Sequence, residues 1–149
     1  MYQAQKLPNL MVDPKYGKAD EIMALSSAKA TAILRDPDAS VYARAKACQR
    51  LAVVGDHNAV PALASLLPDP QLSCYARFGL EPNPDPSADA ALRAALARVQ
   101  GSLLIGVINS IGFRRDRKAL AALEKLRHHP DVEVARTADA ASARIRPAL

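Results

Sequence analysis

Three histidines and two cysteines are the only imidazoles and thiols in the 149 residues. His57 stands at a helix start, where a solvated or capping role is expected. His128 and His129 close another helix, where positive charge meets the negative end of the dipole. Adjacent residues point to different helix faces, so this pair lacks the one-turn spacing that chelates a metal. Cys48 and Cys74 fall on successive second helices and are expected as buried free thiols. Two cysteines are too few for a disulfide scaffold. Ser26, Ser27 and Ser110 have no histidine or aspartate at a spacing that would activate a hydroxyl. Ser110 lies in an apolar helix, where packing or back-bonding to the carbonyl one turn earlier is expected. Glu81, Asp85 and Asp89 form an acidic group, but Asp85 reads as an N-cap and Asp89 as a first-turn carboxylate on the dipole. No glycine-rich loop follows a strand to cradle a nucleotide. These residues predict no catalytic site, no metal and no cofactor.

Binding is better served. Tyr42, Lys46, Gln49 and Arg50 recur at helical spacing on one side of "SVYARAKACQRLAVVG" (40–55). Tyr75 occupies a matching place in the next unit. Tyrosine and arginine are favoured interface anchors. Asn109 interrupts "LLIGVINSIG", and two readings stand for it. It bonds the turn of a neighbouring unit, or it faces a groove. Arg114, Arg115, Arg117 and Lys118, in "RRDRK", make a basic edge that Arg144 and Arg146 could extend. That edge is a contact for phosphate or acidic protein, or else a solvated loop. Nucleic-acid readers of single strands interleave aromatics for stacking. This chain has no tryptophan, and its aromatic share is 4 %.

The elements that must carry these residues are helical. Half the residues are apolar, with abundant alanine and few rings. Alanine loses no side-chain entropy in a helix, so the core must come from close approach of small residues. Residues 1–18 hold two prolines, a glycine and no sustained period, and read as an arm or cap, with Leu10, Met11 and Val12 available to cover the first unit. Helices are expected over 19–35, 40–55, 57–67, 71–80, 87–99, 102–112, 117–129 and 132–146. Their apolar stripes include Val41, Ala45, Cys48 and Ala52; Ala88, Leu92, Ala95 and Val99; Leu104, Val107, Ile108 and Ile111; and Val134, Ala138, Ala141 and Ile145. Very short links make consecutive helices antiparallel neighbours.

A repeat runs through these helices. "DPDASVYAR" (36–44) returns as "DPQLSCYAR" (69–77), so that Asp36 and Arg44 recur as Asp69 and Arg77 at one shared interval. Asp131 follows Asp69 by nearly twice that interval. A period of about 33 residues with two helices per unit marks an α-solenoid. The units "NAVPALASLLPDPQLSCYARFGL" and "KALAALEKLRHHPDVEVARTADAA" resemble the HEAT repeat, of the armadillo type. "CQRLAVVG", "YARFGLEPNPDPSADAALRAAL" and "GVINSIGFRRD" are similar to a bacterial HEAT-like subgroup. The resemblance covers residues 19–147 and departs at pair 3 (87–113), which lacks the Asp-Pro between its helices. It implies an all-α, right-handed superhelix of about four helix pairs, near 19–55, 57–83, 85–113 and 116–147 of a repeat domain 19–149. Second helices would then line the concave side. It also implies a ladder of turn aspartates and second-helix arginines, Asp38 with Arg44, Asp69 with Arg77 and Asp131 with Arg136, unless these are loose surface charges.

The net charge of +5 permits an acidic partner without requiring one. No stretch reaches the length of a membrane span, no signal-peptide core opens the chain, and cytoplasm is the default compartment. The expected function is a non-catalytic protein-interaction scaffold using the concave face. The alternative is nucleic-acid binding through the basic edge, in the manner of a helical-repeat DNA-binding or glycosylase-like protein.

Overall fold

The side chains that start the helices are mostly short oxygen acceptors. In the computed structural model, which describes residues 11–147, Ser26 accepts from the Lys29 N–H at the head of α2 (Ser27–Arg35), and Ser40 accepts from Ala43 at the head of α3 (Val41–Val54). Asp85 does the same for α6 (Pro86–Ala95) and Asp131 for α9 (Val132–Ile145). Each cap satisfies a backbone donor that the helix itself cannot. Asp56 and Asp116 cap single 3-10 turns, 57–59 and 117–119, that run on into α4 (Val60–Ser65) and α8 (Leu120–Leu126). Pro61 sits in the first turn of α4, where its missing N–H costs nothing. α5 (Ser73–Leu80) and α7 (Gly101–Arg114) complete the set with a short α1 (Ala19–Ile22). Every regular element among the described residues is helical. The single helix expected over 19–35 is two, because the Ser26 hydroxyl caps a new start.

Packing follows the pairs. α2 lies on α3, α4 on α5, α6 on α7 and α8 on α9. The second members also touch in sequence, α3 on α5, α5 on α7 and α7 on α9, while α2 touches α4 and α4 touches α6. The stripes expected on α6, α7 and α9 are buried as their period demands, including Leu92, Val107, Ile108, Ile111 and Val134 at 0 % exposure. A fully buried side chain of this size contributes about 1.5–3 kcal/mol. α3 differs. Val41 is exposed and Ala52 half-buried, while Ala43, Ala45, Ala47, Cys48 and Leu51 are buried. This alanine-rich helix is covered from several sides, so no single stripe of larger residues marks its core face.

Small residues bring the second helices close. A Cβ added at Gly112 would lie 3.1 Å from the Ala141 Cβ, so α7 and α9 nearly touch there. One added at Gly79 would meet Leu63 Cδ2 at 2.8 Å and the Cys48 carbonyl at 3.2 Å, where α5 passes over α3 and α4.

The described part of the arm is held by polar contacts, with Tyr16 packed against the core. Leu10 lies outside the described residues, Met11 is exposed and Val12 is half-buried. The anchor is Asp13, which is buried. Its carboxylate accepts from the Lys15 and Tyr16 N–H groups at 2.7 and 2.9 Å, and from the Ser40 N–H and hydroxyl at 2.9 and 2.7 Å. Burial alone would raise the Asp13 pKa, but the Ser40 hydroxyl and these backbone donors outweigh it and hold the group at about 2. Beside it, Lys15 Nζ reaches Asp36 at 2.8 Å and the Tyr16 hydroxyl donates to the same carboxylate. Lys15 and then Tyr16 keep Asp36 far below the usual carboxylate range. The arm is thereby fastened to both ends of the α2–α3 turn.

Candidate interaction surfaces

The helices α3, α5 and α7 each spend much of their circumference on their neighbours and leave one side open. On α7, Ser110 and Arg114 reach toward α5, Gly112 abuts α9, and Leu104, Val107, Ile108 and Ile111 are buried. Asn109 and Phe113 remain on the outer side, both exposed. On α5, Leu72, Ala76 and Leu80 are buried, and Cys74, Tyr75 and Phe78 are exposed. On α3 the outer stripe is Tyr42, Lys46, Gln49 and Val53, at the one-turn spacing of a single helix face. The first three of these are half-buried and Val53 is open. Lys46 Nζ donates to Gln49 Oε1 at 3.0 Å and stands 5.9 Å from the Tyr42 ring centroid. Phe78 and Phe113 are both 55 % exposed, Val53 is 74 % exposed and Tyr75 is 37 % exposed. Both phenylalanines of the chain therefore face solvent.

Of the six expected contact residues, Tyr42, Lys46 and Gln49 lie on the outer stripe of α3, and Tyr75 on α5 and Asn109 on α7 are exposed. The Asn109 side chain has no hydrogen bond among the described residues, so the turn-bonding reading does not hold for it. Arg50 is diverted. Its Nε donates to the Leu25 carbonyl at 2.7 Å, an acceptor freed by the break between α1 and α2. Phe78, Phe113 and Val53 belong to the surface without having been singled out by sequence. Their signal was available, since each falls off the buried stripe of its own helix.

The expected charge ladder is not formed. Arg44 Nη2 donates to the Asp36 and Pro37 carbonyls at 2.9 and 3.2 Å, and not to Asp38. Asp69 accepts from the Gln71 and Leu72 N–H groups, and Asp131 from Glu133. A turn aspartate bonded to the backbone just ahead of it is already satisfied. Arg77 lies over Gly106 and reaches Ser110 at 3.4 Å instead. Arg136 pairs with Glu133 of its own helix at 3.3 Å. Ser110 does not bond back along its helix; its hydroxyl donates to Glu81 Oε1 at 2.8 Å, bridging α7 to the end of α5.

The basic edge divides in two. Arg114 is only 9 % exposed. Its Nε and Nη2 donate to the Asp89 carboxylate at 2.6 and 3.1 Å, and its guanidinium reaches the Leu80, Glu81, Asn83 and Asp85 carbonyls. It closes the end of α5 and fixes the following loop, so no charge is left for a ligand. Arg115, Arg117 and Lys118 are exposed. Asp116, between them, is buried, caps Lys118 and pairs with Arg93. Arg115 and Arg117 instead line, together with Arg144 and Arg146, a groove of about 680 Å³.

The histidines bring no proton relay together. His57 Nδ1 lies 3.1 Å from Asp85 Oδ1 and 3.3 Å from the Ser87 hydroxyl. Both partners address the same ring nitrogen, so the imidazole cannot pass a proton from serine toward aspartate. The Ser87 hydroxyl and N–H, then His57, hold Asp85 at about 2. His129 Nδ1 accepts from the Asp131 N–H at 3.0 Å. Cys48 is buried and its thiol is pushed up to about 12 by burial, whereas Cys74 is exposed, contrary to expectation. A surface position on α5 explains the difference. Among the described residues no cluster of three or more histidine, cysteine or carboxylate side chains could hold a metal, and no helix is long and apolar enough to cross a membrane.

Comparison of the chain with protein-family models, with curated proteins and with solved structures gave no match.

Proposed function

We propose that the chain is a short α-solenoid of HEAT-like pairs that works without catalysis, as an interaction module. Its second helices form the inner, concave row, and their open side takes a protein partner. The observation that carries this reading is the outward placement of Phe78 and Phe113. A chain poor in rings would bury its only two phenylalanines if packing alone decided their place. Set beside Tyr42, Tyr75, Val53 and the uncharged Gln49 and Asn109, they make a surface with apolar anchors and an adaptable polar rim. That composition matches protein contact sites. The pairwise stacking of α3, α5, α7 and α9 supports the solenoid. The return of a helix pair with the Asp-Pro turns at Asp36 and Asp69 supports the HEAT likeness.

The test is site-specific photocrosslinking in cells expressing the full chain. A benzophenone side chain replaces Phe78 or Phe113, with exposed Ala121 on α8 as the control position. One protein adduct of defined mass at both phenylalanines, absent at Ala121 and abolished at Phe78 by Phe113→Ser, is expected. Equal labelling at all three positions would refute the assignment. An adduct twice the mass of the chain would identify the partner as a second copy.

A further inference from the structure

The groove between the α7 corner and the end of α9 has four guanidinium groups and a small floor. Arg115 and Arg117 come from the α7 corner and Arg144 and Arg146 from the end of α9, and Ala143, Ile145 and Pro147 complete the lining. All four arginines are exposed. Among the described residues Arg115, Arg117 and Arg144 have no carboxylate partner, and Arg146 has only Glu124 at 3.6 Å, which also pairs with Arg127 at 3.0 Å. Asp116 and Asp89, the nearest carboxylates on the α7 side, are committed to Arg93 and Arg114. Asp139 on α9 is committed to Arg127.

A structural account of these arginines exists, because both α7 and α9 end here and cations stabilise helix C-termini. It is too small. Two helix ends supply about one negative charge together, at roughly half a charge each, and Glu124 is shared. Four guanidinia against that leave an excess of about two positive charges. Holding them together in one groove costs repulsion that nothing within the described residues offsets. The excess is also compact. Beyond it, among the described residues, only Lys118 adds an exposed cation next to Arg117, and no aromatic side chain lines the groove to stack a base. Guanidinium forks match phosphate oxygens two at a time. Two pairs from two chain segments lining one groove match two linked phosphoryl groups, one per pair.

We infer that this groove binds a compact diphosphate-type anion, clamped between Arg115–Arg117 and Arg144–Arg146. The site is separate from the open side of the second helices. Either can fail without the other.

Pyrophosphate is the probe, titrated calorimetrically into the full chain at about 0.15 M salt. Saturable one-to-one binding is expected, weakened about tenfold or more by the double change Arg117→Gln and Arg144→Gln. Arg98→Gln, which removes an exposed arginine elsewhere, should leave binding within about twofold. Arg144→Lys should retain only part of the affinity, because an ammonium cannot form the fork. Phe78→Ser should leave pyrophosphate binding unchanged. Absence of saturable binding would overturn the proposal, as would equal losses in Arg98→Gln and the groove variants. Single-stranded DNA binding more than about tenfold tighter than pyrophosphate would overturn it in favour of a polynucleotide surface.

Discussion

Replacing Arg114 by methionine removes the guanidinium and keeps most of the aliphatic stem. The Asp89 carboxylate loses its partner at 2.6 Å, and four carbonyls between Leu80 and Asp85 lose a shared donor. Breaking a buried ion pair costs about 3–5 kcal/mol. The Asp89 side chain is 24 % exposed, so water recovers part of its solvation. The lower end, about 3 kcal/mol, is therefore expected. For a domain of this size each kcal/mol moves Tm by about 2–4 °C, so Arg114→Met should lower Tm by about 6–12 °C. Arg115→Met removes the same charge one position away, where the side chain is exposed and the φ of 54° disfavours arginine and methionine alike. It should cost less than about 0.5 kcal/mol. Thermal and urea unfolding, followed by far-UV circular dichroism, measure both. Arg114→Lys should fall between, since lysine carries the charge without the planar fork. Equal losses for Arg114→Met and Arg115→Met would show that Arg114 is ordinary surface charge and refute the closure assigned to it.

Two further predictions concern the core and the arm. Gly79→Ala forces a Cβ against Leu63 and the Cys48 carbonyl, and should destabilise by about 1–3 kcal/mol despite better helix propensity. Gly106→Ala meets only the movable end of Arg77 and should be nearly neutral in the same urea assay; a stable Gly79→Ala would sink the close-approach reading. Asp13 has a folded pKa of about 2, below its ordinary 3.8. Its stabilisation is therefore complete above the ordinary value and lost as pH falls through the folded one. The stability difference between the wild-type chain and Asp13→Asn should be constant near neutral pH and shrink between about pH 4 and pH 2. A difference independent of pH in that window would rule out the Asp13 anchor as drawn.

Sequence was informative where large residues recur at helical spacing, and much less so where alanine does. The stripes of α6, α7 and α9 could be read directly, because leucine, isoleucine and valine can be buried on only one side of those helices. In α3 the same rule misplaced Val41, since alanine buries as readily on any side. Ser26 draws notice as a hydroxyl nucleophile, although its position just ahead of the Lys29 N–H it accepts from is the stronger signal. Among the candidate site residues, Tyr42, Lys46 and Gln49 were legible as one stripe of α3 from period alone, whereas for Asn109 two readings stood open. Arg50 and Arg114 were not legible, because a guanidinium's partner is set by which carbonyls the tertiary fold strands nearby. The Arg44, Arg77 and Arg136 ladder failed for a local reason. Asp69 and Asp131 are used up by the backbone just after them, and Arg44 is spent on the Asp36 and Pro37 carbonyls.

The two cysteines have one more consequence. Cys48 is sealed beneath the α3–α5 contact and Cys74 stands on the outer side of α5, so the chain carries a built-in clock. A thiol reagent should consume Cys74 at the rate of an open surface group. It can reach Cys48 only during the intervals when the packing around α3 opens. The ratio of the two labelling rates therefore reads out how often that packing opens, in the native chain and without a single substitution.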